Sequence, residues 1–367
     1  ANLPLNSGES VLEGSILRFG EGIGFSDISI ETRRGGSLYV GINKGALSGG
    51  VSIGSQGYSS VPFFGNEIIH KIEFFDGFSL SKSDIKNILG EANVYGTDQD
   101  DSGSLRLKAW DWIDSNLYGG LGDDELEANV LSSSYMDGGL GNDTIFLYSK
   151  GFESVVKYDV GDGDDAISVS DENNVGIVDA NNVLILGEGI NQNSIIFERG
   201  DNYDLVMYMD SAKTNKITLL GHGKSEAKQI NEIRFSDGSV WSRSDINSRI
   251  PNILYTDPQK LPLGWSIDET IYGGVAPEQS SISILAGGGN DVIYLQASNH
   301  ADGEAGDDHI YDGAGFNFVT GGQGNDTYYY DLGDDDFYIS DTVYRDDHDV
   351  LKFGQNISLN DLSFEMS

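Results

Sequence analysis

Four consecutive nine-residue units set glycine and aspartate at fixed intervals between residues 303 and 338: GEAGDDHIY, DGAGFNFVT, GGQGNDTYY and YDLGDDDFY. Their glycines include Gly303 and Gly306, Gly313 and Gly315, Gly322 and Gly324, and Gly333. The sixth place holds Asp308, Asn317, Asp326 and Asp335, and the eighth holds Ile310, Val319, Tyr328 and Phe337. A strict period of nine is one structural unit copied. Fuller copies lie upstream, one with Gly119, Gly120, Gly122 and Asp124, the next with Gly138, Gly139, Gly141 and Asp143. The early glycines open backbone angles closed to residues with a Cβ, so the chain can turn tightly with carbonyl oxygens facing inward. The sixth-place carboxylate adds a charged oxygen at the turn's exit. Two stacked turns then offer an all-oxygen cage with two carboxylates. Such a cage suits a hard cation that takes about six to eight oxygens, Ca2+, better than Mg2+ with its stricter geometry.

The pattern G-G-x-G-x-D-x-U-x resembles the RTX family of secreted calcium-binding proteins. The resemblance implies a parallel β-roll with two units to a coil and the eighth-place side chain pointing into the core. Turns on one edge should then recur about every eighteen residues, and Asp308 to Asp326 is 18, Asp291 to Asp308 17 and Asp124 to Asp143 19. Less regular turns supply further metal ligands: Gly287, Gly289 and Asp291, where Ala286 replaces the first glycine, and Gly161, Gly163 and Asp165, where Val160 does. Asp98 and Asp101 are the candidates in the first turn of the upstream block. Asp98-x-Asp100-x-Ser102-Gly103 also resembles the start of an EF-hand loop, but Ala109 stands where the bidentate Glu is required, which rejects that reading. The gaps Asp291/Asp308 and Asp308/Asp326 are expected to bind best. The opposite edge should be weaker, since Asn317 keeps an amide oxygen but loses a charge.

Composition agrees with a cation-dependent fold. The chain carries 22 basic and 59 acidic residues, a net charge of −37, with 49 glycines. Self-repulsion and glycine entropy both oppose compaction until cations neutralise the surface. Nucleic acid and anionic membrane surfaces are poor partners for such a surface, and no nucleic acid is expected as a partner. There are no cysteines, hence no disulfides and no thiolate metal site. No stretch approaches the about eighteen apolar residues of a membrane span, and no N-terminal signal peptide is visible. RTX proteins leave through type I export, whose signal is C-terminal, so the resemblance implies the type I secretion machinery as a partner and a secreted, extracellular or cell-surface location.

A longer repeat organises the whole. Gly20, Gly187 and Gly354 lie in matching segments spaced by 167, LRFGEGI, LILGEGI and LKFGQNI. Two "I-x-F-x-D-G" endings, at Ile72–Gly77 and Ile233–Gly238, each precede a Ser-Asp-Ile run and resemble the haemolysin-type calcium-binding-related module. The expected fold is all-β: parallel RTX β-roll blocks alternating with small β-rich modules that carry short capping helices. The expected boundaries are a β-rich module at 1–91, roll block one at 92–170, a second module at 171–250, a connector at 251–267, roll block two at 268–345 and the start of a truncated third module at 346–367. Alternating runs such as 194–198, 203–208 and 216–220 read as strands, Asp76-Gly77 and Asp237-Gly238 as hairpin turns, and 81–89 and 242–250 as Ser-capped helices.

Catalytic constellations are scarce. The five histidines show no H-E-x-x-H spacing, no G-x-S-x-G occurs, and Gly221–Ser225 lacks the upstream glycine of a phosphate loop. Trp110, Trp112, Trp241 and Trp265 are too scattered for a sugar platform. Asp257-Pro258 is the only Asp-Pro bond, the type some RTX modules cleave, here in a proline-rich connector. The sequence therefore reads as a non-enzymatic, calcium-binding segment of a large secreted bacterial protein. The alternatives are a glycan- or receptor-binding segment of an RTX adhesin or toxin, and the C-terminal region of a secreted enzyme whose catalytic domain lies outside this chain.

Overall fold

The computed structural model describes residues 16–33, 37–44, 47–53, 71–109, 114–130, 132–170, 179–254, 263–273, 282–296, 299–341 and 347–365. Trp110, Trp112 and Asp257-Pro258 lie outside them. The chain forms two compact units, residues 1–158 with 170–183, and 159–169 with 184–367.

The first described strand, Ile16–Arg18, pairs in parallel with Lys71–Glu73, and an antiparallel meander of Ile28–Arg33, Ser37–Lys44 and Leu47–Ile53 follows it in sequence. Beside it in sequence, Lys71–Glu73 and Ser79–Ser81 form the hairpin expected at Asp76-Gly77, where Gly77 takes φ +88°. Helix Lys82–Leu89 follows, its start fixed by Asp84, which accepts the Ser81 N–H and hydroxyl. From Ala92 the chain coils. Ala92–Tyr95, Ser115–Leu121, Ser134–Leu140 and Ser154–Tyr158 pair in parallel on one face, and Leu107–Lys108, Glu125–Glu127 and Thr144–Tyr148 on the other. Leu126 aligns with Ile145 and Leu117 with Met136, and all four are buried between the faces.

In the second unit, strand Asp164–Ser170 pairs in parallel with Lys216–Leu220, which continues into an antiparallel meander with Leu205–Tyr208 and Ile196–Arg199. The second hairpin, Glu232–Phe235 with Val240–Ser242, leads to helix Arg243–Asn247, capped by Ser242 and Asp245. Trp241 is buried against Phe235 and Phe197, a core residue.

The downstream roll is the more regular. Thr270–Tyr272, Val292–Tyr294, His309–Tyr311, Thr327–Tyr330 and Val350–Phe353 pair in parallel on one face. Ser283–Leu285, His300–Asp302, Asn317–Thr320 and Phe337–Ile339 do so on the other. Three-residue strands suffice because only the middle residue points inward: Ile271, Ile284, Ile293, Ala301, Ile310 and Val319 are all fully buried. Burying each large aliphatic contributes about 1.5–3 kcal/mol. The flanking aromatics stack outside, with ring centroids 5.2 Å apart for Tyr272–Tyr294, 4.8 Å for Tyr294–Tyr311 and 4.1 Å for Tyr311–Tyr329.

Two features differ from the sequence reading. The roll reaches back into the expected connector: Ile253–Leu254 pairs with Ile271–Tyr272, and Leu263 and Ser266 bridge to Leu285 and Gly288. The fourth nonapeptide is displaced by two residues. Asn317 aligns with Phe337 and Val319 with Ile339, so Ile339, not Phe337, occupies the core register of the eighth place. A shift of two preserves which side chains face inward, so alternation alone could not reveal it.

Candidate metal centre

The turns on one edge of the downstream roll are joined by their sixth-place side chains. The Asp291 N–H donates to Asp308 Oδ1 at 2.8 Å, and the Asp308 N–H to Asp326 Oδ1 at 2.8 Å. The row extends past both expected ends: the Glu269 N–H reaches Asp291 Oδ1 at 2.8 Å and the Asp326 N–H reaches Asp349 Oδ1 at 3.0 Å. The upstream block repeats this with Asp101 N to Asp124 Oδ1 at 2.7 Å and Asp124 N to Asp143 Oδ1 at 2.8 Å. One carboxylate oxygen per rung is thus consumed in tying coil to coil.

The other oxygen is the informative one. Oδ2 of Asp124, Asp291, Asp308 and Asp326 is buried and accepts no hydrogen bond. Each of these side chains is at most 1% exposed. An unsatisfied buried carboxylate oxygen is costly. In Asp124, Asp308 and Asp326 it faces the first glycine of its own turn, a place that Ala286 takes in the Asp291 turn: a Cβ added to Gly303 would lie 2.1 Å from Asp308 Oδ2 and 2.5 Å from the Gly321 carbonyl oxygen. At Gly138 the distance to Asp143 Oδ2 would be 2.1 Å, and at Gly119 the Cβ would lie 2.5 Å from Asp124 Oδ2 and 2.3 Å from the Gly138 carbonyl. At Gly303 and Gly119 the cradle joins a carboxylate oxygen and a neighbouring carbonyl around space that only glycine leaves open. The later glycines, Gly120 and Gly122, Gly139 and Gly141, Gly287 and Gly289, and Gly322 and Gly324, turn the chain at positive φ, as does Gly306 at +139°. Glu304, at a glycine place, takes φ +69°, an uncommon angle for a side-chain-bearing residue.

Charge reinforces the point. Burial, then the charge of Asp308, pushes the Asp291 carboxyl up to about 9. Burial raises Asp308 to about 7 and Asp326 to about 6, with Asp326 adding to the first and Asp341 and Asp349 to the second. Asp124 is also raised, chiefly by burial. A cation in the cradle is the group that would hold these carboxylates ionised, so the donor set fits a hard, oxygen-seeking ion.

A second ladder lies beside the first. The Asn290 N–H donates to Asp268 Oδ1 at 2.7 Å, Asp307 N to Asn290 Oδ1 at 2.8 Å, Asn325 N to Asp307 Oδ1 at 2.8 Å and His348 N to Asn325 Oδ1 at 3.0 Å. Upstream, Asp100 and Asp123 accept from Asp123 and Asn142 in the same way. These fifth-place residues were not singled out from the sequence, although Asp or Asn stands at each of these accepting places.

Other expected ligands sit differently. Asp101 is in the row, but its Oδ2 already accepts the Thr97 N–H at 2.6 Å and hydroxyl at 3.0 Å, while Asp98 is exposed and outside the row. Asp165 is buried on its strand, and the Gly161–Gly163 turn closes on itself through the Asp159 N–H to Asp162 Oδ2 at 2.5 Å. Residues 330–334 make the same closure, Asp331 N to Asp334 Oδ2 at 2.7 Å. Gly187 and Gly354, 167 residues apart, serve these two turns: a Cβ on either would lie 1.7 Å from Asp159 or Asp331 Oδ1. Gly333 and Asp335 are exposed; Asp335 accepts the Gly315 N–H at 2.7 Å and, given the two-residue displacement, is not stacked on Asn317.

Asn317 departs most from expectation. Its Oδ1 accepts the Asn299 N–H at 2.8 Å, which fixes the amide orientation because only an oxygen can accept there. Its Nδ2 therefore faces the turn, donating to Asp312 Oδ1 at 2.7 Å and to the Gly313 oxygen at 3.1 Å. A donor occupies the position that holds a bare oxygen on the Asp edge, so Asn317 does not present an oxygen to a cation. At the start of the Asp row, Glu269 solves the same problem with a basic side chain. Its Oε1 accepts from the Arg199 guanidinium and its Oε2 takes the Trp265 N–H at 2.8 Å, while Arg199 stacks 4.4 Å over the Trp265 ring.

The model of the RTX calcium-binding nonapeptide repeat (4 copies) matches residues 135–147, 283–299 and 302–337, covering Asp143, Asp308 and Asp326 with their turns. The chain carries RTX calcium-binding repeats. The haemolysin-type calcium binding protein related domain matches residues 209–245, the segment that holds the second hairpin and its Ser-capped turn into the helix. No curated protein matches the chain. The RTX repeats bind calcium, and the Asp edge of each roll has the residues to do so. Among the described residues no helix is long and apolar enough to cross a membrane.

Proposed function

We propose that this chain is a non-enzymatic segment of a bacterial exoprotein, exported by a type I system, whose rolls condense on meeting extracellular calcium. The observation that carries the reading is the row of buried Oδ2 atoms without a partner, of which those of Asp124, Asp308 and Asp326 face a glycine cradle. Calcium supplies the positive charge that such a cradle needs. Asp124, Asp291, Asp308 and Asp326 would hold it, while their Oδ1 atoms keep coil tied to coil.

Energetics favour a cooperative response. Extracellular calcium modules have Kd values of about 10⁻⁴–10⁻³ M. A site at about ten times its Kd adds about 1.4 kcal/mol. One site is small beside the about 5–15 kcal/mol of a folded domain, and several linked sites are comparable to it. In low intracellular calcium the −37 charge keeps the chain extended, which suits passage through a narrow exporter. Far-UV circular dichroism during a calcium titration, paired with calorimetry, tests this. The expected result is a sigmoidal gain of β-structure in the millimolar range, with Mg2+ a poor substitute. An identical spectrum in chelator and in calcium would overturn it.

A further inference from the structure

We propose that Asp326, Asp341 and Asp349 form a divalent-cation site that closes the downstream Asp row and fills before the turns within it. The proposal rests on the calcium reading of that row. One oxygen of each residue lies within 4.8 Å of the others. Asp326 is fully buried and its Oδ2 has no hydrogen-bond partner. That oxygen is aimed into the cluster: a Cβ on Gly321 would lie 2.1 Å from it and 2.4 Å from the Tyr328 hydroxyl. The same hydroxyl bonds Asp341 Oδ2, which also faces the Gly321 N–H at 3.3 Å. Asp349 is fixed from the other side by the Asp326 N–H at 3.0 Å.

Asp341 belongs to no nonapeptide. Within the roll, turn N–H groups donate to backbone carbonyls of the next turn, as Gly306 does to Gln323 at 2.8 Å. At the last turn Gly322 donates instead to Asp341 Oδ1 at 3.2 Å and Gly324 to Asp347 Oδ2 at 3.4 Å. Side-chain carboxylates stand where another turn's carbonyls would be. The closing site therefore gathers three carboxylates, and ligand charge is a main determinant of calcium affinity.

The test uses the full chain with Tb3+ as probe, read by tyrosine-sensitised emission, and Ca2+ by calorimetry. The first equivalent of Tb3+ should emit through Tyr328. Asp341→Asn, which keeps an oxygen for one of the Gly321 and Gly322 N–H groups, should weaken the first binding phase about tenfold or more, as expected for loss of a ligand charge. Tyr328→Phe should remove most of the emission, and Asp347→Asn should change neither the emission nor the calorimetric phase. A first phase unaltered by Asp341→Asn overturns the proposal. If Asp341→Asn fails to fold, Tyr328→Phe decides: retained emission at the first equivalent overturns the site, lost emission supports it. Absence of calcium binding by the unaltered chain would instead overturn the reading of the whole row.

Discussion

Asp308→Asn exchanges one buried oxygen for an NH2 group and should move stability in opposite directions with and without calcium. The Oδ1 contact to the Asp291 N–H, 2.8 Å, survives the exchange. The buried Oδ2 becomes a donor, the state Asn317 already has. Without metal, burial raises this carboxyl from 3.8 to about 7. The unfolded chain releases the proton near 3.8 and the folded chain near 7, so between them the unfolded state binds fewer protons and stability falls as pH rises. Above that window the accumulated cost is about 4 kcal/mol, from about 1.36 kcal/mol per unit over roughly three units. Asparagine carries none of it. With calcium the sign reverses, because Asp308 borders two gaps, each contributing about 1.4 kcal/mol at about ten times Kd, so about 3 kcal/mol is at stake. Urea unfolding of the full chain at mildly alkaline pH, followed by circular dichroism from chelator to millimolar calcium, measures both limbs. The variant should hold more structure in chelator and less stability in calcium, so that the two curves cross. Equal destabilisation under both conditions would refute the assignment of Oδ2 as an uncompensated buried charge.

In chelator, acidification should itself restore β-structure, since Asp291, Asp308 and Asp326 are raised to about 9, 7 and 6 and their protonation favours the folded chain; a circular dichroism profile flat from alkaline pH to about 5 would contradict this. Asn317→Asp should add one calcium to the calorimetric stoichiometry and cost about 1–3 kcal/mol in chelator, where the turn carbonyls lose their donor. Asp98→Ala and Asp335→Ala, at exposed positions outside the row, should each shift the calcium midpoint by no more than about 0.5 kcal/mol, and Asp291→Ala by clearly more. Arg199→Gln should destabilise the calcium-loaded chain by about 3–5 kcal/mol in denaturant titrations, because it strips the partner from buried Glu269.

The row itself was legible because its signal is local and periodic. A nine-residue unit containing Asp308 or Asp326 carries its turn, ligand and core residue together. What stayed hidden was non-local or invariant to the pattern. Arg199 lies 70 residues before Glu269, and nothing in either neighbourhood announces the pair. Phe337 and Ile339 have the same parity, so the displaced register left no trace in alternation. The sequence shows the oxygen that Asn317 keeps but not that the Asn299 N–H claims it and turns the nitrogen inward. The fifth-place ladder was visible in principle, as an Asp or Asn before nearly every row residue, but acidic residues are too common in a chain with 59 of them to stand out.

The separation of duties between the two oxygens of each row residue has an evolutionary reading. Aspartate and asparagine codons differ by one transition at the first base. Because both residues keep the Oδ1 contact that stacks coil on coil, a single nucleotide change can convert a rung from metal-requiring to self-sufficient without altering the coil. A lineage could therefore adjust how many ions the roll demands, and how sharply it answers to the calcium of its surroundings, one base at a time. Asp308 and Asn317, on successive units of one repeat, are the two settings of that dial side by side.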